Sequence, residues 1–220
     1  MTEYENEPIR GLPGLLPPGE EIVWQGSPDW RTLARTAFST RLVIGYFLLL
    51  TAWALVAAWG SHGSYLGVEM TAGLGTLGVL LLHGLAYASA RTTVYTLTNR
   101  RIVMRFGIAV PKCVNLPLGA IAAVDLSLRA DGTGDVPLTI AGPAKLGIVA
   151  LWPHARPWKI VTPQPMLRAI ADAERVAGLV ARACRAANPH GSTHGSTHGS
   201  TVAAPAAAAR TATFADPVQA

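Results

Sequence analysis

Charge is scarce in this chain: 14% of its 220 residues carry it while 50% are hydrophobic, and the mean hydropathy is positive at +0.31. A wholly soluble domain is a poor fit to that balance, and a membrane protein with a soluble portion is a good one. Cysteine is scarcer still. Cys113 and Cys184 stand far apart, with no CxxC pair and no neighbouring His, which excludes a disulfide framework and a zinc site. Neither GxGxxG nor a P-loop is present, and no nucleophile, base and orienting group are spaced as a set, so no enzyme is expected. Lysine is almost missing, since 15 of the 18 basic residues are Arg. Several of these flank apolar runs rather than forming a block, so the net charge of +5 reads as membrane orientation and not as nucleic-acid binding. The first thirty residues are acidic and rich in Pro and Gly, without a continuous apolar core, so no cleavable leader is expected.

Two stretches lack charge altogether. Leu42 to Trp59 would span ~27 Å as a helix and Met70 to Ala90 ~32 Å, both enough to cross the hydrocarbon of a bilayer. The turn between them, residues 60–69, contains no Lys or Arg. Arg31, Arg35 and Arg41 precede the first run, and Arg91, Arg100, Arg101 and Arg105 follow the second, which predicts a hairpin with both termini in the cytoplasm. Gly73, Gly75, Gly78, Gly84 and Ala88 would let the second helix pack closely, within the hairpin or against another copy in a homo-oligomer. His83 lies about two turns from the cytoplasmic end of that helix. A polar ring at such depth needs a partner: a pigment or porphyrin-type metal, or simply a hydrogen bond to a neighbouring helix or the headgroup region.

Before the hairpin, residues 20–25 alternate as a strand does. Ser27 is positioned as an N-cap with Pro28 at the first helical position, and Trp30, Leu33, Ala34, Ala37 and Phe38 then share one face. This predicts an interfacial amphipathic helix, with Trp30 among the headgroups and Arg31 and Arg35 meeting phosphates. After Arg91 the period becomes two. Strands are predicted at 93–98, 101–106, 112–116, 121–128, 136–140 and 147–152, punctuated by Asn99-Arg100, Gly107, Pro117, the Gly turn at 131–134 and Gly142-Pro143. A helix is then predicted from Thr162-Pro-Gln-Pro165 to about Ala186, with Met166, Ile170, Ala173, Ala177, Val180 and Cys184 facing a core and Arg168, Asp172, Arg175 and Arg182 opposite.

The Tyr95-Thr-Leu-Thr-Asn-Arg-Arg-Ile102 run, the Gly107 turn, Leu116-Pro-Leu118 and Ile121-Ala-Ala-Val124 resemble the bacterial pleckstrin-homology domain of membrane proteins, as does the lead-in Pro18-Gly-Glu-Glu-Ile-Val-Trp-Gln-Gly26. A narrower resemblance is carried by Leu151-Trp-Pro-His-Ala-Arg-Pro-Trp158, Pro163-Gln-Pro-Met-Leu-Arg168 and Glu7-Pro-Ile-Arg-Gly-Leu-Pro13. Over about residues 3–186 these are similar to the PuhB family, photosynthetic complex assembly proteins of purple bacteria. The resemblance implies a non-catalytic factor in the bacterial inner (intracytoplasmic) membrane that helps assemble the photosynthetic reaction centre and core light-harvesting complex. It would bind reaction-centre and core-antenna subunits at the cytoplasmic face, and brings with it no catalytic residues, cofactor or metal.

The expected fold is therefore an α+β membrane protein. A cytoplasmic N-terminal segment (1–40) precedes a transmembrane hairpin (41–90) and an antiparallel pleckstrin-homology-like β barrel or sheet, closed by a C-terminal amphipathic helix (91–187). The His-Gly-Ser-Thr repeat that opens the tail (188–220) is simple enough that disorder is expected, and ordering such a chain opposes a metal site at its His residues. Arg100, Arg101 and Arg105 are the predicted contacts of the domain, reaching membrane lipids or an acidic client segment near the membrane surface. The rival reading is a generic membrane-anchored lipid- or peptide-binding module unrelated to photosynthesis. Asp125, Asp131, Asp135 and His154 are the main titratable groups an enzyme would draw on, but their spacing forms no set. Asp131-Gly-Thr-Gly-Asp135 reads as a hairpin turn rather than a calcium loop.

Overall fold

The computed structural model describes residues 9–12, 14–61, 64–142, 147, 151–157, 159 and 162–188. The tail repeat, residues 1–8 and residues 148–150 of the strand expected at 147–152 lie outside them.

Helices α2 (Thr40–Ser61) and α3 (Leu66–Thr92) form an antiparallel hairpin. Each runs two to four residues past the uncharged stretch at either end, because backbone hydrogen bonding does not stop where apolar side chains do. Glu69 falls in the first turn of α3 and Arg91 in its last, both favourable to the helix dipole. At 22 and 27 residues the helices measure ~33 and ~40 Å. They are long and apolar enough to cross a membrane, and only 6% of the most apolar window of each is buried within the chain. They are not core helices of this fold. Leu48, Leu49, Trp53, Val56, Leu77 and Leu81 stand largely exposed, an apolar surface far beyond what soluble monomers present. Gly75 is the contact point of the hairpin: a Cβ there would come within 2.8 Å of the Phe47 side chain, whereas one at Gly73, Gly78 or Gly84 would meet nothing within 4 Å.

The strand β1 (Ile22–Gly26), which precedes the hairpin, pairs antiparallel with β2 (Val94–Thr98), which follows it, so the hairpin is an excursion between two neighbours of one sheet. Adding β3 (Arg101–Phe106) and β4 (Lys112–Pro117) gives the order β1-β2-β3-β4. The lead-in is thereby part of the domain's sheet. A 3-10 turn at Leu118–Ala120 leads into a second sheet built on β7 (Gly134–Ile140). One side of β7 carries β5 (Ile121–Val124) and β6 (Ser127–Leu128), and the other carries β8 (Met166–Ile170).

After a register shift between Ile121 and Ala123, β5 and β6 keep one register along β7 but are interrupted at Asp125-Leu126, where one strand is expected. Asp125 donates its N–H to the Pro137 carbonyl, and Pro137 has no N–H to return. Among the described residues no ladder joins the two sheets, so the domain is a pair of antiparallel sheets and not a closed barrel. Their inner faces share one core, in which Tyr95, Leu97, Met104 and Phe106 meet Leu138, Leu167 and Ile170.

The predicted long C-terminal helix divides. Its first third is the strand β8, and only Ala173–Ala187 is helical (α4), presenting Val176, Ala177 and Val180 to the core. Helical spacing at Met166 and Ile170 yields to pairing with β7, and left-handed Ala169 and Asp172, at φ 52° and 53°, reverse the chain into the helix. Where a strand is expected at 147–152, Leu151 is helical, its N–H bonded to the Gly147 carbonyl four residues back, and Trp152 lies in the turn that follows.

Upstream, α1 (Trp30–Thr36) begins two residues later than expected. Asp29, not Ser27, is its N-cap: the carboxylate accepts the Thr32 N–H at 2.8 Å while the Asp29 N–H donates to the Ala169 carbonyl at 2.7 Å. Burial alone would raise the Asp29 carboxyl, but the Thr32 bonds outweigh it and hold the group below its usual value.

Gly107 opens the β3–β4 turn at φ 125°, and a Cβ there would come within 2.2 Å of the Val110 carbonyl oxygen. Gly107→Ala is therefore expected to cost about 1–3 kcal/mol of stability, read as a lower denaturant midpoint of the detergent-solubilised chain at unchanged slope.

Candidate interaction site at the helix-domain junction

Where α3 runs into β2, a chain of buried polar groups replaces a linker. His154 is fully buried between Thr93 and Tyr95, with Nε2 3.2 Å from the Thr93 hydroxyl and Nδ1 2.6 Å from the Tyr95 hydroxyl. The Thr93 hydroxyl donates to the Ser89 carbonyl of α3 at 2.7 Å, and the Tyr95 hydroxyl accepts the Arg168 backbone N–H at 3.2 Å. One pattern of donors satisfies every member: Arg168 N–H to Tyr95, Tyr95 O–H to Nδ1, Nε2–H to Thr93, and Thr93 O–H to Ser89. The imidazole is therefore neutral and carries its proton on Nε2. Burial, with the nearby Arg168 charge, pushes His154 down to about 3, and burial pushes the Tyr95 hydroxyl up.

Arg168 extends the network to α1. Its Nη1 donates to the Pro153 carbonyl at 2.7 Å and its Nη2 to the Thr36 carbonyl at 2.9 Å, so one guanidinium joins β8, the loop after Trp152 and the α1–α2 corner. Burial pulls this guanidinium below its usual value, with the Asp135 charge opposing. Asp135 accepts the Ala169 N–H at 2.8 Å and pairs with Arg129. Helical periodicity puts Arg168 on an exposed face, whereas the structure buries it. The readable signal was a lone cation inside the apolar run Met166-Leu-Arg-Ala-Ile170. The motif carrying the narrower resemblance supplies His154, and its Arg156 reaches the carboxylate of Asp125 at 2.8 Å.

Around this buried plug lies an exposed rim. The apolar face of α1 packs on protein and not in a headgroup layer, because Leu33 meets Ala90 and Ala169. What remains outward is charge beside aromatic rings. Trp30 packs edge-on to Tyr87 at 6.0 Å, Arg31 lies 5.4 Å over the Trp30 ring, and Arg91 lies 5.8 Å over Tyr87. Arg35 is exposed beside them and donates to the Arg31 carbonyl. Trp30, Arg31 and Arg35 thus come together with Tyr87 and Arg91, two residues that sequence reasoning had not put with them as a site.

The other three expected contacts do not form a cluster near the end of α3. Arg105 is buried opposite Val94, where β2 begins, while Arg100 and Arg101 stand at the far end of that strand, ~13 Å along it. Arg101 is bonded to Glu20, 2.7 Å from Nε to Oε1 and 3.0 Å from Nη2 to Oε2, and the Thr98 hydroxyl completes the set at 2.8 Å. Burial would raise the Glu20 carboxyl, but the Arg101 and Thr98 bonds and the Arg101 and Arg100 charges together hold it below its usual value. Arg101 therefore fastens β1 to the β2–β3 turn instead of awaiting a partner. His83 on α3 satisfies its Nδ1–H locally on the Val79 carbonyl at 2.8 Å. Among the described residues no three His, Cys, Asp or Glu side chains gather as metal ligands.

A pair of antiparallel sheets with a closing helix, carried on two long apolar helices, places the chain in a recognisable class. It belongs to the bacterial PH domain family, whose profile matches residues 37–183, taking in both apolar helices and ending within α4. The chain is 36% identical over 189 residues, 84% of its length and 88% of the relative's, to an "uncharacterized 23.7 kDa protein in puhA 5′ region" of Rhodobacter capsulatus. A crystal structure of a protein with a pleckstrin-homology domain from Shewanella loihica shares 16% identity, covering 42% of this chain and 70% of that one, at a TM-score of 0.29.

The buried imidazole has a pH signature. Its folded value lies below the ordinary 6.5, so between pH 6.5 and about 3 the unfolded chain binds the proton that the folded chain refuses, and stability falls as pH falls. Glu20 contributes in the same direction only below the carboxylate range, so pH 5 to 6.5 isolates the histidine. Thermal melts of the full chain in detergent should show this decline in the wild type, at up to ~1.4 kcal/mol per pH unit, and a flatter profile in His154→Gln. Arg101→Ala should lower stability by about 2 kcal/mol at pH 7, leaving the buried Glu20 carboxylate unpaired, and by much less at pH 4. A solvent-facing contact residue would show neither effect.

Proposed function

We propose that α2 and α3 span the bacterial inner membrane with both termini cytoplasmic, and that the domain is a non-catalytic assembly factor for the photosynthetic reaction centre and core light-harvesting complex. The observation that carries the photosynthetic assignment is the 36% identical relative, whose name sets its gene beside puhA. It supports the same direction as the Trp152-Pro-His-Ala-Arg-Pro-Trp158 motif. The junction supports the manner of action. A domain joined to its helices by a buried hydrogen-bond network would have a set orientation to the membrane, and the rim of Trp30, Arg31, Arg35, Tyr87 and Arg91 suits the anionic headgroup layer. Client subunits would then be met at the cytoplasmic face. The open sides of Gly73, Gly78 and Gly84 are where a neighbouring helix, from a client or a second copy, would approach.

Deleting the gene in its phototrophic host should lower reaction-centre and core-antenna absorbance and slow phototrophic growth, with restoration by the wild-type gene. Unchanged complex levels would leave the generic membrane-anchored lipid- or peptide-binding module as the reading. Alkaline carbonate should leave the chain in the membrane pellet, and its release would remove the spanning hairpin.

A further inference from the structure

The turn between β3 and β4 does not look like the tip of a soluble hairpin. Ile108 and Val110 are 48% and 68% exposed, and Trp152, from a different loop, is 59% exposed beside them. None of the three contributes to the core, and Gly107 sets the turn that displays two of them. Together with Phe38 and Leu85 they border a cleft of about 290 Å³ between the turn, the α1–α2 corner and α3, and Lys112 is the one charged residue of its described lining. Phe38 packs edge-on to Trp152 at 5.5 Å, so the wall is built from segments far apart in the chain.

The position of the cleft decides what chemistry suits it. Leu85 lies seven residues before the end of α3, ~10 Å along the axis, and Leu74, Leu77, Leu81 and Leu85 follow one another on a single exposed helix face. The apolar stripe of the helix therefore runs through Leu85 into the walls of the cleft, where Ser89 and Lys112 are the polar side chains. A ligand here needs an apolar portion continuous with hydrocarbon and an anionic group at the level of the Lys112 ammonium. The volume is at the lower end of the ~300–1,000 Å³ of small-molecule sites, room for part of one chain and not for a whole lipid.

We propose that this cleft holds an acyl chain of an anionic phospholipid drawn from the surrounding bilayer, with its phosphate paired to Lys112. The proposal rests on the reading that α2 and α3 span the membrane. It makes the domain a reader of lipid charge at its base, separate from the arginine rim.

Native mass spectrometry of the full chain in mild detergent, titrated with phosphatidylglycerol or phosphatidylcholine, tests it. The wild type should retain phosphatidylglycerol about fivefold more strongly. Lys112→Ala should reduce that preference to what the separate arginine rim supports while leaving phosphatidylcholine retention unchanged, and the double variant Ile108→Ser, Val110→Ser should retain less of both lipids. An equal lipid ratio in wild type and Lys112→Ala overturns the proposal, and this variant alone suffices if the double variant misfolds. Retention insensitive to a correctly folded double variant overturns it too, as does a second protein copy bound in place of lipid and lost in that variant. Release of the wild type by carbonate would overturn the spanning hairpin and this inference together, whereas a lipid result that fails in a carbonate-resistant chain overturns the cleft alone.

Discussion

Everything about the shape of this protein depends on the hydrogen-bond chain that runs from Arg168 through Tyr95, His154 and Thr93 to the last turns of α3. A long helix that runs directly into a domain could swing on its last peptide bonds. Here that freedom is removed by groups which, once buried, are costly to leave unpaired, so a change of angle would break several bonds at once. Arg168 adds the third attachment by holding the Thr36 carbonyl at the entrance to the hairpin, so both ends of the hairpin are held by the same side-chain cluster.

The sheet repeats this arrangement in backbone. Because β1 and β2 are neighbours, the chain enters and leaves the hairpin through paired strands, and the Glu20–Arg101 ion pair closes their far end. The apolar helices contribute little burial to the domain, yet they cannot be moved without disturbing its first sheet. On the proposed reading, that mechanical continuity would let an assembly factor present a surface at a set height and angle.

The legible features were those with local causes. Uncharged runs long enough to cross a bilayer became helices α2 and α3. Period-two runs bounded by Asn99-Arg100 and Gly107 became the hairpins of the first sheet. Failures came where a distant partner overrode a local preference. Met166 and Ile170 keep helical spacing but pair with β7; the Ser27-Pro28 cap yields to Asp29 because Asp29 also bonds to Ala169; the strand at 121–128 breaks opposite Pro137. Charge was the least legible. Arg101, Arg105 and Arg168 are of one residue type and near one another in property, yet one closes a strand pair, one is buried at the start of the sheet, and one organises the junction.

The sequence by itself determined that there are two long apolar helices, which side of them is rich in arginine, and that a β-rich domain begins within a few residues of the second. Those follow from composition and period, which act over a turn of helix or a pair of strand residues. Only the tertiary structure decided that His154 is buried and neutral, that the lead-in strand belongs to the sheet beyond the hairpin, and which arginines face outward. Each of these depends on partners brought together from distant parts of the chain, as far as the 132 residues between Thr36 and Arg168, and no local pattern encodes a hydrogen bond whose two ends meet only after folding.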